Sequence, residues 1–242
     1  MTRIFRFYIL PLLCFTLTFI TGSTQANIAT VSDKTVNEPQ IVVLIHGLMR
    51  TTGSMSLMAD YLNKEGYQVY SYDYPSMKNS LHEQGVSLHE SIIKLLAEHP
   101  GTKISFVTHS MGGIIARDAL AQLSPDQLKQ IGSLVMLAPP NQGSSLAKTF
   151  NRTLPMVSYF IKPMADLSSD KASYVHQVPI PKVKMGIIAG RYDVKSPPAE
   201  TRLKGQPEPI IVDSVHTFIM DNPQTKILVA RFLQKGSFVD QE

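Results

Sequence analysis

Five consecutive aliphatic residues, Ile41-Val42-Val43-Leu44-Ile45, end abruptly at His46-Gly47. A strand with one face in water alternates apolar and polar side chains. This one does not, so both of its faces must be covered, as in a parallel sheet. The rest of the chain supplies the partners. Further strands are expected at 68–72, 103–108, 133–137, 185–189 and 209–212, and helices at 54–65, 80–98, 111–123 and 224–234. Gly66, Pro100-Gly101 and Pro139-Pro140 stand where turns are needed. In the longest helix Leu81, Leu88, Ile92 and Leu95 recur near helical spacing. Repeated strand–helix–strand units predict an α/β fold with a mostly parallel sheet and helices on both faces.

The first 26 residues read as an export signal. Arg3 and Arg6 form a basic start, 7–20 is an almost uncharged apolar run, and Thr24-Gln25-Ala26 offers a small-residue cleavage site. The apolar run is shorter than the roughly 20 residues of a membrane-spanning helix. A periplasmic or secreted location is expected, with an uncleaved inner-membrane anchor as the alternative. Cys14 follows Leu13, where lipid attachment wants a small residue, and is read as filler. The remainder, 27–242, has the length and apolar content of a single domain. It contains no cysteine and therefore no disulfide. Losing Arg3 and Arg6 from the 23 basic residues leaves 21 against 19 acidic ones. So small an excess, with no basic stripe, gives no reason to expect a nucleic-acid partner.

One stretch breaks the rhythm. Residues 141–181 separate two strands by about forty residues, more than a simple crossover needs. Leu154, Met156, Val157, Tyr159, Phe160, Ile161, Met164 and Leu167 make it apolar, and Pro155 and Pro163 interrupt it. It is either a helical cap with an apolar inner surface facing an acyl chain, or an elaborated crossover packed on the sheet.

The sharpest local signal is Thr108-His109-Ser110-Met111-Gly112-Gly113, between a strand and a helix. A serine held in a tight strand-to-helix turn presents its hydroxyl at the carboxyl edge of the sheet, provided its neighbours are small. Gly112 meets that need; Thr108 stands where glycine is commoner. The Met111 N–H, at the helix start, is the natural first donor to an oxyanion, and the Leu48 N–H, beyond Gly47, the second. Serine at such a junction also serves as a plain helix cap, so the rest of the chain must supply a base and its partner. His216 follows the last expected strand, and Asp193 follows the strand at 185–189. Both therefore belong at the same sheet edge as Ser110. Asp213 is the second choice of acid, three residues before His216, and Asp73 the third. His46 is read as structural, and His109 as pointing away from the serine. His82, His89 and His99 have no shared-metal spacing, and His176 is placed where it could line a pocket under the cap. No metal or cofactor is expected.

Together, His46-Gly47-Leu48, the turn at 108–113, Ala138-Pro139-Pro140-Asn141-Gln142-Gly143-Ser144 and His216-Thr217-Phe218-Ile219-Met220 resemble the α/β-hydrolase superfamily, in particular its bacterial lipase-like and esterase-like members. The likeness runs from the strand before His46 to the final helix. The chain order Ser110, Asp193, His216 is that of this fold. The family's first antiparallel strands find no room before Ile41, which leaves a minimal sheet of about six strands. The resemblance implies an esterase or lipase acting through Ser110 on a small-molecule or lipid ester, with transient contact at a lipid interface. A thioesterase or acyltransferase would use the same residues, and a non-catalytic lipid- or partner-binding protein is the reading from another class. Oligomeric state is not encoded in any motif found.

Overall fold

The computed structural model describes residues 40–154, 156 and 160–239. The expected export segment 1–26 and the lead-in to residue 39 lie outside them, as do Pro155, Val157 and Tyr159. Six strands, β1 (Ile41–Ile45), β2 (Gln68–Tyr72), β3 (Ile104–His109), β4 (Ile131–Leu137), β5 (Lys184–Gly190) and β6 (Ile210–Val212), form one sheet in the order β2-β1-β3-β4-β5-β6. Every adjacent pair is parallel. The carboxyl ends of all six strands therefore share one edge, the edge at which open α/β sheets bind ligands.

The helices are α1 (Ser56–Lys64), α2 (Leu81–Glu98), α3 (Met111–Ala121), α4 (Pro125–Leu128), α5 (Ser145–Thr153), α6 (Pro163–Asp166), α7 (Pro198–Thr201) and α8 (Pro223–Lys235). The unbroken apolar run of β1 is explained by what lies on each side of it. Ile41, Val43 and Ile45 pack with Leu81, Leu88 and Ile92 of α2 and Ile114 and Ile115 of α3. Val42 and Leu44 pack on the opposite face with Met58 and Leu62 of α1 and Val229 and Phe232 of α8. Along α2 the buried stripe ends on Leu96, and Leu95 is only partly covered. The expected stripe was one residue out at its end, because 3.6-residue spacing after Ile92 falls between the two positions.

Local signals set the helix ends. Ser80 accepts from the Glu83 N–H while the Glu83 carboxylate accepts from the Ser80 N–H, a reciprocal cap on α2. Asn222 caps α8 ahead of Pro223, and Gly236 closes it with φ +70°.

The long segment after β4 divides in two. Leu167, Val175 and Val178 are buried in the core beside α2 and α3. By contrast α5 buries only Ala147, and Leu146 and Phe150 stay partly exposed above the carboxyl edge of the sheet.

Candidate active site

Ser110 occupies the turn between β3 and α3 with φ 53° and ψ −124°, a conformation that costs a non-glycine residue about 1–3 kcal/mol. The surroundings enforce it. The Ser110 N–H donates to the Leu137 carbonyl at 2.8 Å, and its own carbonyl accepts from Gly113 at 3.0 Å. Gly112 is a steric necessity: a Cβ there would lie 2.6 Å from the His46 carbonyl oxygen and 2.7 Å from that of Ile45. Thr108 is accommodated in place of the commoner glycine. It is fully buried, with its hydroxyl 3.4 Å from the Val135 carbonyl.

The Ser110 hydroxyl donates to His216 Nε2 at 2.9 Å, and His216 Nδ1–H donates to Asp193 Oδ2 at 2.6 Å. The other Asp193 oxygen accepts the N–H groups of Lys195 and Ser196, each at 2.8 Å. These bonds fix the imidazole with Nε2 unprotonated toward the serine, the tautomer that a general base needs. The Asp193 side chain is wholly buried, whereas the His216 ring is 12% exposed. Gly190 lets the end of β5 pass the His216 loop, since a Cβ there would meet the Ser214 carbonyl at 2.6 Å.

The two expected oxyanion donors flank this group. Leu48 lines the cavity over Ser110, and Met111 begins α3 directly after it. Neither N–H has a protein acceptor among the described residues. His46, read as structural, is so: its buried ring stacks on Tyr74 at 4.3 Å and bonds the Gly47 carbonyl, while the Tyr74 hydroxyl donates to its own carbonyl at 2.6 Å. Burial lowers the His46 pKa and raises that of Tyr74. Both side chains are held neutral near pH 7, and together they brace the loop that carries Leu48.

His109 points away from the serine hydroxyl, as expected, but its destination was not legible. Its Nε2–H donates to the His216 backbone carbonyl at 3.0 Å, and the two rings lie 4.8 Å apart. Burial, and then the neighbouring His216, hold its pKa well below the ordinary value, so the ring is a neutral prop behind His216. A second support was also missed. Arg117 donates to Asn141 Oδ1 and to the Val178 carbonyl, and the Asn141 amide donates to the Thr201 carbonyl. Burial pulls the guanidinium down to about 10. This lock ties the loop after β4 to the segment following Asp193. The charged pair Arg117-Asp118 inside the otherwise apolar run of α3 was the available clue.

The remaining titratable residues lie elsewhere. Asp213 is exposed and paired with Arg191, and Asp73 is exposed 3.8 Å from His46 Nε2. His82 meets Asp118 and Tyr174, His89 the Ala119 carbonyl, and His99 the Tyr70 hydroxyl. His176 does not line the cavity: it is exposed on a short turn (Tyr174–His176) whose buried anchor is Val175. No cluster of three or more metal-binding side chains occurs among the described residues.

Ser110 and His216 open into a cavity of about 730 Å³. Leu146, Ala147, Phe150, Ile161, Met164 and Leu167 form its apolar wall, with Leu48 and Pro140 nearer the serine. Leu154, Met156 and Phe160, from the same stretch, are exposed.

A strained serine turn at the carboxyl edge of an open, six-stranded parallel sheet flanked by helices defines an α/β hydrolase. A model of the family described as serine aminopeptidase, S33, matches residues 37–179, and the chain belongs to that family. Among solved structures it is similar to a lipase of Bacillus licheniformis, with a TM-score of 0.64 and 19% identity over 84% of this chain and 93% of that one. It is likewise similar to an esterase of Pyrococcus furiosus, at 0.58 and 21% identity over 82% and 83% of the two chains. A phospholipase of Legionella pneumophila matches at 0.62 and 18% identity over 83% of this chain, which spans 60% of that one. At these identities the likeness is one of fold. No curated protein matches the sequence.

Proposed function

We propose that the protein is a serine hydrolase that cleaves carboxylic esters through an acyl-enzyme on Ser110. The observation that carries this reading is the chain Ser110–His216–Asp193, with bonds of 2.9 and 2.6 Å, opening into an apolar cavity. In the proposed reaction His216 Nε2 takes the serine proton as Oγ attacks the ester carbonyl. The oxyanion is received by the Leu48 and Met111 amides, which have no competing acceptor. As the tetrahedral adduct collapses, His216 protonates the departing alcohol. Water then enters, gives its proton to His216 and releases the acid, while Asp193 stabilises the imidazolium throughout.

Aminopeptidase action, which the family's description names, fits this cavity poorly. A free amino terminus needs a carboxylate near the nucleophile, and among the described residues the walls carry none; Arg50 and Lys195 line it instead. In this reading Leu146, Phe150 and Met164, from the expected cap at 141–181, cover an acyl chain, and the exposed Leu154, Met156 and Phe160 are the surface for transient contact with lipid. Residues 1–26 direct export to the periplasm or medium, with cleavage after Ala26. N-terminal sequencing of the exported protein checks this by finding Asn27 first; a retained Met1 contradicts it and indicates the anchored form.

Turnover of matched esters and thioesters, with and without an added alcohol, tests the activity. Ester hydrolysis that disappears in Ser110→Ala is expected. Faster thioester turnover or dominant transfer to the alcohol would reassign the enzyme to those classes, and full activity in Ser110→Ala would remove the nucleophile.

A further inference from the structure

The proposal of an acyl-enzyme leaves open what else the substrate carries, and the charges lining the cavity address this. Arg50 enters from the loop after β1 and Lys195 from the loop after β5, so they flank the Ser110 turn, which follows β3, on opposite sides in the sheet order. Among the described residues neither side chain has a hydrogen-bond partner. Their hydrogen bonds use backbone atoms: the Arg50 carbonyl accepts from Ser76, and the Lys195 N–H donates to Asp193 while its carbonyl accepts from Ser144. Neither forms an ion pair among the described residues.

Nothing on the cavity wall offsets the two charges. Among the described residues no carboxylate lines it, and Asp193, two residues before Lys195, is buried and already accepts three hydrogen bonds. Both cations reach the cavity floor electrostatically, since each disfavours a positive charge on His109. A largely apolar wall thus carries positive charge beside Ser110, and such a field selects substrates by charge.

We propose that the substrate class is an acyl ester whose alcohol portion carries an anion of the phosphate type, with the acyl chain against Leu146, Phe150 and Met164 and the anion between Arg50 and Lys195. This rests on the ester-hydrolase reading of the same site. A neutral ester leaves both cations without a partner, whereas a phosphate accepts from each. Both side chains are at least partly exposed, so each contact is modest, and together they are expected to give about a tenfold preference at low salt.

The test compares 1-decanoylglycerol with 1-decanoylglycerol 3-phosphate, both kept monomeric so that no lipid surface contributes. The readout is the ratio of their kcat/KM values for the full enzyme, for Arg50→Gln/Lys195→Gln and for Arg50→Lys. The expected wild-type ratio of about ten falls toward one in the double variant and near 1 M salt, where screening is nearly complete; Arg50→Lys retains most of it. A wild-type ratio at or below one, with the neutral ester turned over, overturns the proposal while leaving the esterase reading intact.

Calorimetric binding of decyl phosphate, compared with an uncharged decyl glucoside, supplies the readout independent of turnover. Decyl phosphate binding that weakens several-fold in the folded double variant supports the anion site even if neither ester reacts, in which case it is the acyl-transfer reading that fails. Equal binding by both proteins contradicts the anion site.

Discussion

The turn at Ser110 and the wall made by α5, Ile161, Met164 and Leu167 meet in one cavity, but they are built differently. The turn is enclosed by backbone: carbonyl oxygens of Ile45 and His46 lie against Gly112, and strands run on both sides of β3. The α5 part of the wall stands on few buried contacts. Only Ala147 of α5 is buried, and Leu146 and Phe150 remain 39% and 38% exposed. A site that must place a hydroxyl within hydrogen-bond reach of an imidazole is fixed by close-packed backbone. An apolar surface that, in the proposed reading, need only exclude water is left to side chains that adapt.

The largest expected effect breaks the turn's chemistry and leaves its shape. Ser110→Ala or His216→Ala should lower kcat by a factor on the order of 10⁴–10⁶, with little change in the urea midpoint. Gly112→Ala attacks the shape instead. The added methyl meets two backbone oxygens that cannot step aside, so a loss of about 1–3 kcal/mol or more is expected in urea unfolding, with activity falling in the protein that remains folded.

The supports behind the turn give a subtler handle. His46 and His109 are buried with lowered pKa values, so the unfolded chain binds more protons below its ordinary histidine pKa of about 6.5. Stability is then complete above that pH and is lost as pH falls through it, by as much as about 1.4 kcal/mol per pH unit for each histidine. Unfolding midpoints of wild type and His109→Gln between about pH 7.5 and 5 should converge as pH falls, because the variant lacks one of the two protons. An identical pH slope would contradict the assignment of His109 as a neutral prop.

The smallest effect belongs to the wall. Phe150→Ala should change stability by only about 1 kcal/mol yet shift the preferred acyl length, by up to about tenfold in relative kcat/KM. A chain-length series measures it.

The same contrast governs what was legible in the sequence. Sheet, helices and the edge bearing Ser110, Asp193 and His216 could be read because each depends on local pattern: the unbroken run of β1, and glycine where backbone passes backbone. That Leu48 and Met111 lie beside Ser110 followed from chain position alone. The supports were hidden because they join residues far apart, His109 to the carbonyl of residue 216 and Arg117 to residues 141 and 178. The division of 141–181 into a buried part and a cavity wall was likewise invisible. Both parts are rich in apolar residues, and only tertiary packing distinguishes Val175, buried in the core, from Phe150, on the cavity wall.

Treating the native enzyme with a fluorophosphonate and mapping the adduct by mass decides whether Ser110 is the activated nucleophile. The expected result is a single modification on Ser110, slowed severely in His216→Ala. An adduct on a different serine, or a folded wild-type protein that takes none, would contradict it.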